Sequence, residues 1–414
     1  MTHSRALGWA GILGAVWGLW SCADDASSSK ADSPASASPV GTPGASATAD
    51  HGAVSGAAEG DSFAEDPASG SASTTPSSAS APARAPLPDV APVAETCSDN
   101  PLLAGCGAPT PPPPAEPRNT AGTLTAGAWD DNRNMTRFLD YRARLHDEQL
   151  PGLLDFAPTE HTAAQVRTQP VAHTTLDVSL VVDTTGSMGD ELSYLQTEFL
   201  AISSTIEASY PGAEQRWSLV VYRDRGDTYT TLPFDFETDP VAFRQHLADQ
   251  SAGGGGDIPE APDAALDAMN QLSWRTGDAT ARLAFWVADA PHHAEQAGAM
   301  KAAIVAAQAA GVHIYPVASS GVDEFTELTM RSTAQLTGGR YLFLTNDSGV
   351  GNSHKEPSIP CYFVTKLDSA ILRMVDIEMS GVYREPSAAE LIRTGGNPQS
   401  GACQLDSGET VYVF

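Results

Sequence analysis

Apolar runs alternate with segments of helical periodicity between residues 176 and 344. Short apolar runs predict strands, and there are six of them: LDVSLVV, WSLVVY, YTTLPF, LAFWVA, HIYPV and RYLFL. Between them apolar residues recur at helical spacing, as at Leu192, Leu195 and Phe199. The run LAFWVA is apolar on both faces, as a central parallel strand must be. We therefore predict an α/β fold with a doubly wound, mostly parallel, Rossmann-like sheet whose last strand is residues 341–344.

Shorter segments flank this core. Met135, Phe138, Leu139, Arg142 and Leu145 follow helical spacing, so we expect residues 118–170 to form a short helical collar that packs on the main domain. The main domain is expected to span residues 171–379, with a helix near residues 367–374. Residues 380–414 would form a small C-terminal extension.

The first third of the chain has a different composition. Residues 22–117 are dominated by Ala, Ser, Pro and Gly, which bury too little apolar surface to offset the entropy of ordering. We expect a disordered, flexible tether that ends in a stiffer polyproline stretch, PTPPPPAEP.

Residues 1–21 have the pattern of a signal peptide. His3 and Arg5 precede an apolar run, residues 7–20, which is too short to span a bilayer. The run ends in LWSC, which resembles the lipobox of bacterial lipoproteins. The resemblance implies that Cys22 is lipidated and that the protein is exported to the bacterial cell envelope, periplasmic or surface-exposed, with the lipid as its only membrane anchor. The alternative is an ordinary cleaved signal peptide.

Four further cysteines fit an exported protein. Cys97, Cys106, Cys361 and Cys403 allow three pairings, and proximity along the chain favours Cys97–Cys106 and Cys361–Cys403. Because no Cys-x-x-Cys or His-x-Cys spacing points to zinc, we predict disulfides formed in an oxidising compartment.

The formal net charge is −28, from 23 Lys and Arg against 51 Asp and Glu. Nucleic-acid phosphates require the opposite sign, so we expect no nucleic-acid partner. Such acidity favours solubility and also raises the local concentration of divalent cations.

Three loops carry many oxygen ligands where strands are predicted to end. The first strand ends in Asp183, Thr185 and Ser187, a later loop reads GGGGDIPE, and LAFWVA is followed by Asp289. Ligands bind beyond the carboxyl ends of such sheets, and Mg²⁺ prefers six oxygen ligands. The sequence therefore predicts a divalent-cation site.

These motifs together resemble a von Willebrand factor type A domain with a metal-ion-dependent adhesion site, over about residues 176–344. The resemblance implies Mg²⁺, or Ca²⁺ or Mn²⁺, held by Asp183, Thr185, Ser187 and Asp289. It also implies that one coordination position is left for an acidic side chain of the partner.

The middle loop departs from the family pattern, which places a Thr after two glycines where this chain has Asp257. The GGGDIPE sequence, with YRDRGD upstream, resembles a bacterial branch of the family. Asp257 is our candidate fifth ligand, and either Asp257, Glu260 or neither reaches the ion. A directly bound Asp257 would strengthen cation binding and weaken the attraction for a partner's carboxylate.

Other readings are weaker. Residues 183–187 could merely cap the next helix, but two further loops at suitable separations favour the metal. His292 and His293 are expected to be exposed structural residues. The GGGG run lacks the Lys-Ser/Thr of a phosphate-binding loop, and no Ser-His-Asp elbow supports acyl transfer.

The leading functional hypothesis is an exported, lipid-anchored module that binds a carboxylate of a protein or matrix partner through its cation. The first alternative is an envelope scaffold or assembly protein whose cation is structural. A metal-dependent hydrolase is a weaker alternative, because no general base with a nucleophile stands beside the ligands. We therefore expect no enzymatic activity.

The lipid anchor gives a first prediction. Because Cys22 is the only acceptor in the lipobox, Cys22→Ala should move the protein from the membrane to the soluble fraction on ultracentrifugation. Cys106→Ala, which removes a cysteine outside the lipobox, is the control and should stay in the membrane. Retention of the Cys22 variant in the membrane would show that the lipobox interpretation is wrong.

Overall fold

A computed structural model describes residues 123–167, 172–256 and 258–414. The predicted signal peptide, the tether, Cys22 and the Cys97–Cys106 loop lie outside the described residues, as does Asp257. In the part of the chain that is described, no helix combines the length and the apolar character needed to cross a membrane.

Strands and helices alternate along most of the described chain. The strands are β1 (Thr125–Trp129), β2 (Thr175–Asp183), β3 (Glu214–Tyr222), β4 (Thr231–Glu237), β5 (Thr280–Ala288), β6 (His313–Ala318), β7 (Tyr341–Leu344), β8 (Tyr362–Lys366), β9 (Arg393–Gly395), β10 (Ala402–Gln404) and β11 (Thr410–Tyr412). The helices are α1 (Met135–Asp147), α2 (Pro158–Arg167), α3 (Gly189–Ser209), α4 (Pro240–Ala248), α5 (Pro262–Asn270), α6 (Ala297–Ala310), α7 (Glu324–Thr337) and α8 (Leu367–Ser380).

The described residues form one nine-stranded sheet in the order β4-β3-β2-β5-β6-β7-β1-β8-β9, and β10 pairs with β11 separately. Strand β2 is parallel to β3 and β5, and the parallel pairing continues through β6 to β7. Strand β4 closes one end of the sheet antiparallel to β3. The predicted α/β class and the six predicted strands are confirmed.

The sheet is covered on both faces because its central strands direct apolar side chains to both. In β2, Leu176, Val178, Leu180 and Val182 pack in one cluster with α3 and α8, while Val181 packs in a second cluster with α5 and α6. Successive side chains of a strand point to opposite faces, so a strand that is buried on both faces, as β2 is, requires helices on both sides. This explains the doubly wound arrangement.

Residues 123–167 do more than pack on the outside of the domain. Strand β1 lies inside the sheet, antiparallel to both β7 and β8, so the predicted collar is wrong for this part of the segment. The prediction that residues 341–344 form the last strand is also wrong, because β1, β8 and β9 continue the sheet. The predicted helix at residues 135–145 is confirmed as α1.

Buried ion pairs attach this segment to the domain. Arg331 of α7 is fully buried and donates to Asp131 (Nη2–Oδ1 2.7 Å) and to Glu327 (Nη1–Oε1 3.0 Å). Removing one member of such a buried group leaves an uncompensated charge, which typically costs about 3–5 kcal/mol. The segment is therefore an integral part of the fold.

The C-terminal extension is also joined to the sheet. Strand β9 pairs antiparallel with β8, and a disulfide links Cys361, just before β8, to Cys403 in β10. The predicted Cys361–Cys403 pairing is confirmed.

A buried carboxylate connects α8 to the sheet. Glu378 accepts a hydrogen bond from Tyr315 and lies 2.8 Å from His313 Nδ1 and 4.0 Å from Arg340 Nη1. Burial alone would raise the pKa of Glu378, but the charges of His313 and Arg340 and the hydrogen bonds lower it to about 2. A carboxyl group with a lowered pKa stabilises the fold above its unfolded pKa, and this contribution is lost as the pH falls toward 2.

Glu378→Gln should therefore lower the free energy of unfolding at pH 7 by about 3 kcal/mol. The variant's stability should also fall less than that of the unchanged protein between pH 5 and pH 3, measured by urea denaturation. Glu207→Gln, which removes a half-exposed partner of Arg244, is the control and should change stability by no more than about 0.5 kcal/mol. Equal acid sensitivity of the Glu378 variant and the unchanged protein would contradict this account.

Candidate metal centre

The first loop of the candidate site begins where β2 ends. Asp183 is fully buried, and its Oδ1 accepts hydrogen bonds from the backbone N–H of Thr185 (2.9 Å) and from the Thr185 hydroxyl (2.7 Å). The chain then forms a short 3₁₀ turn over residues 186–188 and continues into α3. The turn places the side chains of Asp183, Thr185 and Ser187 on one side of the loop.

The hydroxyls of this loop connect it to the strand beside it. The Thr185 and Ser187 hydroxyl oxygens lie 3.2 Å apart, and the Ser187 side chain acts on Asp289, whose pKa it lowers against the effect of burial. Asp289 directly follows β5, the parallel neighbour of β2, and is 7% exposed. The structure therefore brings together four of the five residues predicted as ligands.

The Gly-rich loop is hydrogen-bonded to the first loop through the backbone. The N–H of Gly253 donates to the carbonyl of Thr184 (3.0 Å), and the N–H of Gly186 donates to the carbonyl of Gly254 (3.1 Å). The predicted convergence of the three loops is thus present, although Asp257 itself lies outside the described residues.

Glu260, at the end of the Gly-rich motif, is a buried neighbour of this site. Gly255 has φ +61°, and a Cβ built on it would lie 2.7 Å from Glu260 Oε1 and 2.8 Å from Thr185 Cβ. Only glycine allows the Glu260 carboxylate and Thr185 to approach the loop so closely. Glu260 is 2% exposed. Its place in GGGDIPE made Glu260 a candidate ligand, but the sequence did not show that Glu260 is buried.

Among the described residues, no Lys or Arg compensates the buried carboxyl groups of this region. Burial, followed by the charge of Asp289, raises the pKa of Asp183 to about 7, and burial raises that of Asp289 to about 6. Burial and the charges of nearby acids, first Asp183, raise the pKa of Glu260 to about 9. In the described part of the chain no Lys or Arg forms an ion pair with these three side chains.

Buried oxygens without a hydrogen-bond partner also indicate that this region lacks a compensating positive charge. Among the described residues they include Asp183 Oδ2, Asp289 Oδ1, Glu191 Oε2 and Glu260 Oε2. A buried carboxylate oxygen without a donor is costly, and a bound cation removes that cost. The donor set of carboxylates and hydroxyls therefore fits a hard divalent cation.

Acidic side chains alone do not build this site. Within residues 123–167, 172–256 and 258–414, no group of three or more His, Cys, Asp or Glu side chains is arranged to hold a metal ion. The arrangement found here combines two carboxylates with two hydroxyls, so Thr185 and Ser187 are as important to it as the acids.

The two histidines after Asp289 form contacts with other parts of the protein. His292 is 1% exposed, with Nε2 3.0 Å from the carbonyl oxygen of Gly152, and His293 Nε2 lies 2.6 Å from Asp224 Oδ1. The expectation that they are structural agrees with these contacts. The expectation that they are exposed is wrong, because residues 152 and 224 come from distant loops that cover them.

Residues 177–346 match the family model described as von Willebrand factor A domain. The chain therefore contains a domain of this class, a type of module that generally mediates protein interactions.

Two further similarities are more limited. The chain is 33% identical over 122 residues to an ariadne-like RING finger protein of Acanthamoeba polyphaga mimivirus, a match that covers 28% of this chain and 11% of that protein. The crystal structure of the conserved hypothetical protein BatB from Bacteroides thetaiotaomicron aligns with a TM-score of 0.36 at 12% identity, covering 49% of this chain and 98% of BatB.

Two buried aspartates of β2 allow a test of whether Asp183 lacks a compensating positive charge. Asp177 accepts hydrogen bonds from Arg216 (2.6 Å) and Arg275 (2.8 Å), whereas Asp183 has no cationic partner among the described residues. In cation-free protein at pH 8, Asp183→Asn should raise the free energy of unfolding by about 1–3 kcal/mol, because it removes an unpaired buried charge. Asp177→Asn should lower it by about 3–5 kcal/mol.

Urea denaturation of both variants after exhaustive removal of divalent cations measures this contrast. If Asp183→Asn destabilises the cation-free protein as much as Asp177→Asn does, the Asp183 carboxylate is already compensated and the site needs no cation.

Proposed function

We propose that this chain is an exported, lipid-anchored binding protein whose A-type domain takes up a divalent cation and uses it to hold an acidic side chain of a protein or matrix partner. Mg²⁺ is the first candidate, with Ca²⁺ or Mn²⁺ as alternatives. The observation that carries the proposal is the group of buried, unpartnered carboxylate oxygens where β2 and β5 end.

Asp183, Thr185, Ser187 and Asp289 are the residues that would hold the cation. The hydrogen bonds from Thr185 to Asp183 orient the first carboxylate, and the Ser187 hydroxyl lies next to that of Thr185. When bound, the cation supplies the positive charge that attracts a carboxylate of the partner. Ser187 is exposed, so the site opens to the surface where a partner can reach it.

Export and anchoring rest on the N-terminal sequence. A lipid on Cys22, followed by the long Ala-, Ser- and Pro-rich sequence, would hold the domain away from the membrane while leaving its binding face free. The strong negative charge agrees with partners other than nucleic acid. We also propose that the domain binds and does not catalyse a reaction.

Glu260 favours a second candidate, an envelope scaffold whose cation is structural. A third buried carboxyl group next to Thr185 would add negative charge near a bound ion, because the ion favours its ionised form. Coulomb attraction then retains the cation more tightly and reduces its pull on a partner's carboxylate. Asp257 would act in the same direction if it also lies near the ion.

Calorimetric titration of the full chain with Mg²⁺ tests the cation, and capture of envelope proteins on the immobilised chain, with Mg²⁺ or EDTA, tests its role. Asp289→Ala should lose at least tenfold in Mg²⁺ affinity. Asp155→Asn, an exposed carboxylate paired with Lys301, is the control and should bind Mg²⁺ normally.

The outcomes separate the two candidates. A captured partner that leaves in EDTA while circular dichroism shows an unchanged fold supports the binding module. Mg²⁺ uptake with EDTA-resistant capture supports the scaffold. No Mg²⁺, Ca²⁺ or Mn²⁺ uptake by the unchanged protein would contradict both.

A further inference from the structure

The segment after β7 lies at the same edge of the sheet as the candidate metal centre. Strand β7 is parallel to β6, which is parallel to β5, and β5 is parallel to β2. The carboxyl end of β7 therefore lies at the edge of the sheet where Asp183 and Asp289 lie. Residues 349–356, here called the rim segment, are largely exposed at this edge. Val350 and His354 are its buried residues, with 6% and 5% exposure.

Glu191, in the first turn of α3, connects the rim segment to the neighbouring loop. Its side chain is fully buried, and its Oε1 accepts a hydrogen bond from the backbone N–H of Ser320 at 2.9 Å. The same oxygen lies 3.0 Å from His354 Nε2. One carboxylate oxygen therefore joins the loop that follows β6 to the segment that follows β7.

The rim segment is packed closely against Glu191. Gly351 has φ +77°, and a Cβ built on it would lie 2.9 Å from Glu191 Oε1 and 3.1 Å from its Cγ. Asn346 ties the segment from the other side, because its Oδ1 accepts from the N–H of His354 (2.8 Å) and its Nδ2 donates to the carbonyl of His354 (3.2 Å). The rim segment therefore packs directly against the Glu191 side chain.

Glu191 also faces the candidate metal centre. Its negative charge acts on Asp289, and its Oε2 is buried without a hydrogen-bond partner. The loop that it holds touches Asp289 as well, since a Cβ on Gly321 would lie 3.6 Å from the Asp289 carbonyl oxygen. Without a nearby positive charge, the carboxylates of Glu191 and Asp289 repel each other.

We propose that Glu191 is a positioning residue that couples cation binding to the placement of the rim segment, which forms part of the partner-binding face. This inference rests on the proposed cation site. A bound cation offsets the repulsion between Asp289 and Glu191, so it stabilises the arrangement in which Glu191 lies near Asp289 and accepts from Ser320 and His354. The rim segment is then held in place next to the position where the partner's acidic side chain binds.

The coupling must be reciprocal. If the cation tightens the contact between Glu191 and the rim segment by some factor, loosening that contact weakens cation binding by the same factor. Typical couplings between sites correspond to about fivefold or more. A cation in a site without this coupling would leave the rim segment unchanged.

Hydrogen exchange of the full chain, followed by mass spectrometry with Mg²⁺ or EDTA, tests the coupling. In the unchanged protein, saturating Mg²⁺ should slow exchange of the rim-segment amides by about fivefold or more. Glu191→Gln keeps an oxygen that can accept from Ser320 and His354 but removes the charge. At saturating Mg²⁺ this variant should show no slowing, and its Mg²⁺ affinity should fall by the same factor.

Glu198→Gln is the matched control. Glu198 lies on the same helix, is 8% exposed and also has an unpartnered Oε2, but its Oε1 accepts from the backbone of Leu124 instead of the rim segment. This control should keep the full response to Mg²⁺. Gly351→Ala and His354→Ala break the contact from the other side and should lose the response, which keeps the test decisive if Glu191→Gln does not fold.

Two results would overturn the inference in different ways. If the unchanged protein binds Mg²⁺ in calorimetry but exchange of the rim segment stays the same, Glu191 does not couple the two, and the proposed function stands. If the unchanged protein takes up no divalent cation at all, the proposed function and this inference both fail.

Discussion

The structure is organised around buried negative charge at the ends of two neighbouring parallel strands. β2 and β5 are paired along their length, so the residues that follow them, Asp183 and Asp289, are brought into the same low-dielectric region. Like charges in such a place are stable only with a compensating charge or with protons. Burial raises the pKa of both side chains, and the charge of Asp289 raises that of Asp183 further. A divalent cation would supply the compensating charge, and the hydroxyls of Thr185 and Ser187 would complete its oxygen ligands.

The opposite edge of the sheet resolves the same problem with arginines. Asp177, near the start of β2, is fully buried but accepts hydrogen bonds from Arg216 and Arg275, which keep its pKa below the usual value even though burial alone would raise it. One strand therefore carries a compensated carboxylate near one end and an uncompensated one at the other. This asymmetry makes the carboxyl edge the place where a cation would compensate buried charge, while arginines already do so at the amino edge.

Features that depend on residues close together along the chain could be predicted from the sequence. LAFWVA is apolar on both faces, LDVSLVV is a mostly apolar run, and Asp183, Thr185 and Ser187 follow one another in a single turn, so strands and loop could both be predicted. Strand β1 could not, because TAGAW consists mainly of small residues without a clear period and becomes a strand by pairing with β7 and β8, which are more than 200 residues away along the chain.

The supporting residues of the site were hidden from the sequence for the same reason. The partners of Glu191, Ser320 and His354, are separated from it by 129 and 163 residues. The burial of Glu260 depends on the close approach of Thr185 at Gly255. An acidic residue on a predicted helix or loop is usually solvated, so only the tertiary structure shows that these two carboxylates are buried beside the site.

The central claim is that a cation lies between the loops that follow β2 and β5. The most direct measurement is anomalous diffraction from crystals of the domain soaked in Mn²⁺. The account predicts one Mn²⁺ peak in contact with the oxygens of Asp183, Thr185, Ser187 or Asp289, directly or through water, and its loss in crystals of Asp183→Asn. Ordered loops with no Mn²⁺ peak between them, or a peak that persists in that variant, would contradict it.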